Sequence, residues 1–99
     1  MKKVILSADG PWSVYEVPDK VADNLHQYCL DFCDWVHRSP TTKRISGIVC
    51  FDETNFIDYL NNVVNPNHLE KSRLIKELGY IDDIDELPEK YRKLPHFNF

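Results

Sequence analysis

Histidine and cysteine residues between Pro18 and Pro40 offer the most specific chemistry in the chain. On a helix, Cys33 and His37 lie one turn apart, and Cys29 precedes Cys33 by the same spacing. His26 falls on the same side. Thiolate and imidazole are the ligands zinc prefers, so His26, Cys33 and His37 are the metal-site candidates. Cys50, His68 or His96 would have to complete the shell. The same two residues, Cys33 and His37, are also a candidate nucleophile and base. A reactive thiolate needs a helix N-terminus or a neighbouring cation. Cys33 falls late in its helix, where the dipole disfavours negative charge. The spacing matches no Cys-x-x-Cys zinc pattern. The simpler reading makes Cys29 and Cys33 core filling, with both histidines at its wet edge. No metal, cofactor or catalytic residue is therefore assigned.

Other enzyme signatures are missing from the 99 residues. There is no Gly-x-Ser-x-Gly elbow, no glycine-rich phosphate loop and no His-Glu-x-x-His. Carboxylates are plentiful, but acid–base work needs a cleft that shifts their pKa values. The residues assign no enzymatic activity and leave the question open, with the balance against an enzyme.

The second chemistry is charge. Asp82, Asp83, Asp85, Glu86 and Glu89 are interleaved with Ile81, Ile84 and Leu87. Residues 1–44 are neutral, so the net charge of −4 falls on residues 45–99, with six basic against ten acidic. A concentrated negative patch attracts and orients a basic partner. The five acids are the candidate partner-binding residues; the bland alternative is a solvated loop with its isoleucines tucked under.

These residues must be positioned by a modest set of elements. Val4-Ile5-Leu6, the turn pair Asp9-Gly10 and the alternation from Trp12 to Val17 predict a β-hairpin over residues 3–17. Val21, Ala22, Leu25, Tyr28, Cys29, Phe32 and Val36 recur at spacings of three and four, which predicts one long helix over 19–38. Ser39 to Arg44 is a polar connection. Ile45 to Phe51 reads as a central strand. Asp52 caps a helix whose stripe is Phe56, Ile57, Leu60, Val63 and Val64, ended by Asn65-Pro66. Asn67 and Glu70 resemble a capping box for a helix over 68–78, with Gly79 as its left-handed stop. Pro88 opens a last short helix through Leu94, and Pro95 ends it. The order ββαβααα implies an α+β fold. The expectation is a small three-stranded sheet with helices packed on one face and a right-handed parallel crossover, in a single domain over residues 1–99.

Composition bounds the rest. The hydrophobic fraction of 42% and charged fraction of 28% are those of an ordinary globular chain. An acidic balance argues against nucleic acid, whose binding rests on counterion release by basic groups. No apolar run approaches the roughly 20 residues of a membrane span. Lys2-Lys3 followed by Val4-Ile5-Leu6 starts like a signal peptide, but the apolar stretch stops at Ser7. Three cysteines, an odd number, suit a reducing cytoplasm.

Two stretches carry a resemblance. One runs from Tyr28-Cys29-Leu30-Asp31-Phe32-Cys33-Asp34-Trp35 to Val49-Cys50-Phe51-Asp52 and on to Asn61. The other is Leu87-Pro88-Glu89-Lys90-Tyr91-Arg92 with Pro95-His96-Phe97-Asn98-Phe99. Together they resemble small bacterial proteins, Gram-positive in origin, to which no activity is attached. Glu77-Leu78-Gly79 and Leu87 to Tyr91 also resemble a short signature of SUKH-type immunity proteins; the Asn-Gly-Gly that follows in that family, and its long sheet, are missing here. The expected function is a small cytoplasmic interaction module that offers an acidic surface to a basic protein. An immunity or inhibitor protein is one concrete form. The alternatives are a metal- or thiol-dependent protein built on His26, Cys33 and His37, and a homo-oligomer using Leu30, Trp35 or the aromatic tail.

Overall fold

The computed structural model describes residues 1–40 and 42–99. Thr41, within the polar connection read over residues 39–44, lies outside the described residues. The chain begins with strands β1 (Lys2–Ser7) and β2 (Trp12–Val17), joined as the predicted antiparallel hairpin with Ile5 opposite Val14. The turn works because Asp9 accepts a positive φ of 53°, a conformation Asp tolerates better than most residues. The Ser7 hydroxyl ties the turn, donating to the Gly10 carbonyl at 2.9 Å.

The long helix forms in two pieces, α1 (Asp19–Asp23) and α2 (Leu25–Arg38), broken at Asn24. Asn24 leaves helical geometry, and its side-chain amide donates to the Lys20 carbonyl at 2.9 Å. Asn competes with the helix in this way because its side chain reaches nearby backbone groups. The apolar stripe survives the break: Val21, Ala22, Leu25, Cys29, Phe32 and Val36 are all buried.

Residues 45–51 do not form a central strand. They make a small hairpin of β3 (Arg44–Ile45) and β4 (Ile48–Val49). Ser46 and Gly47 both take positive φ, 51° and 81°, which folds the chain back before a strand of useful length can form. Helix α3 (Glu53–Tyr59) follows, with the predicted Asp52 cap. The Asp52 carboxylate accepts from the Thr54 and Asn55 N–H groups, and Asn55 Oδ1 accepts from the Asp52 N–H at 2.9 Å. Such a cap contributes about 1 kcal/mol. The helix then widens into a π turn over Leu60–Val64, closed by the Asn65 N–H on the Leu60 carbonyl.

The expected helix over 68–78 is a strand, β5 (Arg73–Gly79), antiparallel to β2. Leu74 and Leu78 have helical spacing, but β2 offers an open edge, and pairing there satisfies backbone groups that a short exposed helix would leave to water. The anticipated Asn67 cap does not form, and the His68 ring bonds to the backbone of Glu70. Gly79 keeps its positive φ, at the end of a strand. A single 3-10 turn (Ile84–Glu86) and α4 (Glu89–Arg92) precede β6 (His96–Asn98), which pairs parallel with β1.

The three-stranded sheet of order ββαβααα is thus overturned. The fold is α+β, with a mixed four-stranded sheet in the order β5-β2-β1-β6 and the two-stranded β3-β4 hairpin apart from it. Nor are the sheet's covers confined to one side. Val4, Leu6, Tyr15 and Val17 pack with α1, α2 and α3. Ile5 and Val14 pack under Leu87, with Ile81, Ile84, Tyr91 and Leu94 around them. The sequence from Tyr80 to Pro95 is therefore a strap across the second face.

Candidate functional site

The strap carries the acidic cluster. Asp82, Asp83, Asp85, Glu86 and Glu89 are all exposed, while Ile81 and Ile84 are half-buried and Leu87 is buried. The alternation of charge and apolar residue is what lays the strap down: the apolar residues anchor on Ile5 and Val14, and the carboxylates are left facing water. The Asp83 carboxylate accepts from the Asp85 N–H at 3.0 Å and caps the 3-10 turn, which fixes the spacing of the acids. Glu89 pairs with Lys93 at 3.2 Å, so its charge is partly neutralised. The Asp82, Asp85 and Glu86 side chains have no hydrogen-bond or ion-pair partner among the described residues. Tyr80, at the head of the strap, is 81% exposed.

The structure does not assemble the metal candidates. Among the described residues, no three His, Cys, Asp or Glu side chains come together as ligands. His26 turns its ring to Phe97, 5.6 Å between centroids. His37 Nδ1 donates to the Cys33 carbonyl at 2.7 Å, one turn back on its own helix. His96 lies against Trp12. Cys29 is buried, and burial followed by the neighbouring Cys33 pushes its thiol far up. Burial also raises Cys33. Both shifts suppress the thiolate that a nucleophile or a zinc ligand needs. All three cysteines are free thiols.

A further site escapes the sequence reading. Between α2, the residues on either side of the β3-β4 hairpin (Thr42, Lys43, Cys50 and Phe51) and α3 with its π turn lies a cleft of about 300 Å³. Its floor is aromatic: Trp35 and Tyr59 meet at 5.1 Å and 47°, with buried Phe32 beneath both. Phe51 closes one side, edge-on to Phe32 at 5.5 Å. Burial raises the Tyr59 hydroxyl above its ordinary pKa, with the nearby Asp31 charge adding to it. The rim is polar. Asn55, Asp58 and Asn62 recur at spacings of three and four along α3 and its π turn, and Lys43 faces in from the connection before β3. A second depression, of about 510 Å³, lies beside the first strand, but its Lys2 and Asp23 already pair with each other at 2.7 Å.

No family model, curated protein or solved structure matches the chain. The site therefore rests on its own geometry.

The surfaces offered for self-association fare differently. Leu30 is exposed on α2. Trp35 lines the cleft, and the tail is docked on its own chain, with Phe97 and Phe99 packed into the helix-side core. A signal for the cleft did exist in the sequence: the polar stripe Asn55, Asp58, Asn62 along α3 and its π turn. Only the placement of residues 42–51 turns that stripe from a solvated face into a rim. No helix among the described residues is long and apolar enough to cross a membrane.

Proposed function

We propose that this protein is an interaction module whose acidic strap binds a basic surface on another protein. The observation that carries the reading is the strap's construction. Four carboxylates, Asp82, Asp83, Asp85 and Glu86, are held in a fixed order on a segment pinned to the sheet by Ile84 and Leu87. A negative surface that is already ordered loses little entropy on binding and steers a cationic partner on approach. Tyr80 beside it supplies the kind of rigid aromatic anchor that dominates interface energetics. An inhibitor or immunity protein covering a cationic active site is the form this chemistry suits best. The acidic balance argues against nucleic acid as the partner, and the three free thiols favour a cytoplasmic setting.

The test is capture from a lysate of the source cells at low and high salt. The wild-type chain is compared with the combined variant Asp82→Lys, Asp83→Lys, Asp85→Lys, Glu86→Lys. A basic protein retained by the wild type, released by salt and lost in the variant is expected. Tyr80→Ala should weaken the same complex about tenfold. Equal retention by wild type and charge-reversed variant would sink the acidic-strap reading.

A further inference from the structure

We propose that the cleft between α2 and α3 is a binding site for a neutral saccharide, seated with one flat face of a pyranose ring on Trp35 and its edge against Tyr59, whose ring is tilted 47° from the indole. The argument starts with the floor. An aromatic ring carries negative charge on its face, and the C–H bonds on one side of a pyranose present weakly positive hydrogen to it. Trp35 and Tyr59 are half-buried and both rest against buried Phe32, so this angled aromatic wall exists before any ligand arrives. Neither the indole N–H of Trp35 nor the Tyr59 hydroxyl has a hydrogen-bond partner among the described residues.

The rim narrows the ligand class. It holds one cation, Lys43, and one anion, Asp58, so it favours no net charge in what it binds. Its hydrogen-bonding inventory is mixed: Asp58 only accepts, Lys43 only donates, and Asn62 does both. Asn55 keeps its amide N–H groups free, since its cap bond uses the oxygen. The side chains of Lys43, Asp58 and Asn62 have no hydrogen-bond or ion-pair partner among the described residues. A polyhydroxylated ring, in which every hydroxyl both donates and accepts, answers such a set; a phosphate or an alkylammonium answers only half of it. The volume of about 300 Å³ lies at the small end of ligand clefts and suits one or two sugar units. The π turn that carries Asn62 is a local departure from α-helix of the kind often found at ligand sites.

Glucose, galactose, N-acetylglucosamine, maltose and cellobiose are titrated into isotopically labelled protein, read by amide and indole NMR shifts. The expected result is saturable, millimolar-range binding of at least one sugar, with shifts at the Trp35 indole and at the Asn55 and Asn62 side-chain amides. Affinity should not change with salt, because no net charge is matched. The exposed substitutions Asp58→Ala and Asn62→Ala should each weaken binding about tenfold and leave the spectrum otherwise folded. The charge-reversed strap should bind the sugar as wild type does, which separates this site from the proposed protein interface. Absence of shifts with every sugar would overturn the proposal. So would shifts that survive both substitutions, or stronger binding of arginine or inorganic phosphate at the same residues.

Discussion

The helix side of the sheet is built around Phe32, whose ring meets Trp35, Phe51, Phe56, Tyr59 and Phe99, drawn from four separate stretches of chain. The strap side is built around two strand residues, Ile5 and Val14, and the one fully covered strap residue, Leu87. Both arrangements exclude water from the sheet. The first does so with interlocked rings contributed from residue 32 to residue 99; the second with a single layer of chain that holds only a 3-10 turn and the one-turn helix α4. The difference predicts that the helix side carries cooperativity, whereas the strap opens locally without loss of the fold.

The sharpest way to break the comparison is Phe32→Ala, which removes the ring shared by all those partners. A loss of about 3–5 kcal/mol is expected in urea unfolding. A loss near that of an isolated leucine would mean the rings do not act as one unit. Next in size is an effect of pH. Tyr15, on the helix side, is buried, and desolvation, followed by the nearby Glu53 charge, pushes its hydroxyl up to about 12. The unfolded chain releases this proton near pH 10, whereas the folded chain retains it. Stability from Tyr15 is therefore complete below pH 10 and falls as pH rises toward 12, by roughly 2–3 kcal/mol. Tyr15→Phe should remove that part of the alkaline slope, and an unchanged slope would place the titration elsewhere.

On the strap side, Leu87→Ala should cost about 2 kcal/mol, the lower end for a buried leucine, because a thin cover can settle into the gap. Hydrogen exchange gives the finer reading: faster amides over residues 80–95 with β1 and β2 unchanged. Uniform acceleration would show that the two faces are one cooperative unit. The smallest effect is expected at the tail. Asn98 bonds reciprocally with Asp9, receiving the Asp9 N–H at 2.8 Å and donating to its carboxylate at 3.1 Å. Asn98→Ala should cost about 0.5–1 kcal/mol and loosen β6 first, seen as exchange of the Phe99 N–H.

The sequence was most legible where a local rule decides the outcome. Asp9-Gly10 announced the hairpin, Asp52 the capped helix, and the heptad-like stripe from Val21 to Val36 the helix-side core. It misled where two local rules compete and distant chain settles the matter. Arg73 to Gly79 has helical apolar spacing and a glycine stop, yet an open edge on β2 makes it a strand. Ile45 to Phe51 is rich in β-branched residues, yet Ser46-Gly47 folds it into a hairpin. The acids of the strap could be read directly, down to the apolar residues beneath them. The cleft could not, because Lys43, Trp35 and Asp58 share no periodicity; three separate elements must meet before it exists.

The parallel pairing of β6 with β1 joins Leu6 to Phe97, across almost the whole chain, with the Phe99 N–H on the Ser7 carbonyl at 2.8 Å. During synthesis on a ribosome, β1 emerges long before its partner β6. The hairpin and helices can gather while translation continues, but one edge of β1 waits for residues 96–98. Contacts of such long sequence separation form late and slow the search, and an open strand edge in the interval invites pairing with another nascent chain. A pause in translation between β5 and β6 would lengthen that exposure, so the yield of folded protein should depend on how quickly residues 80–98 follow the rest.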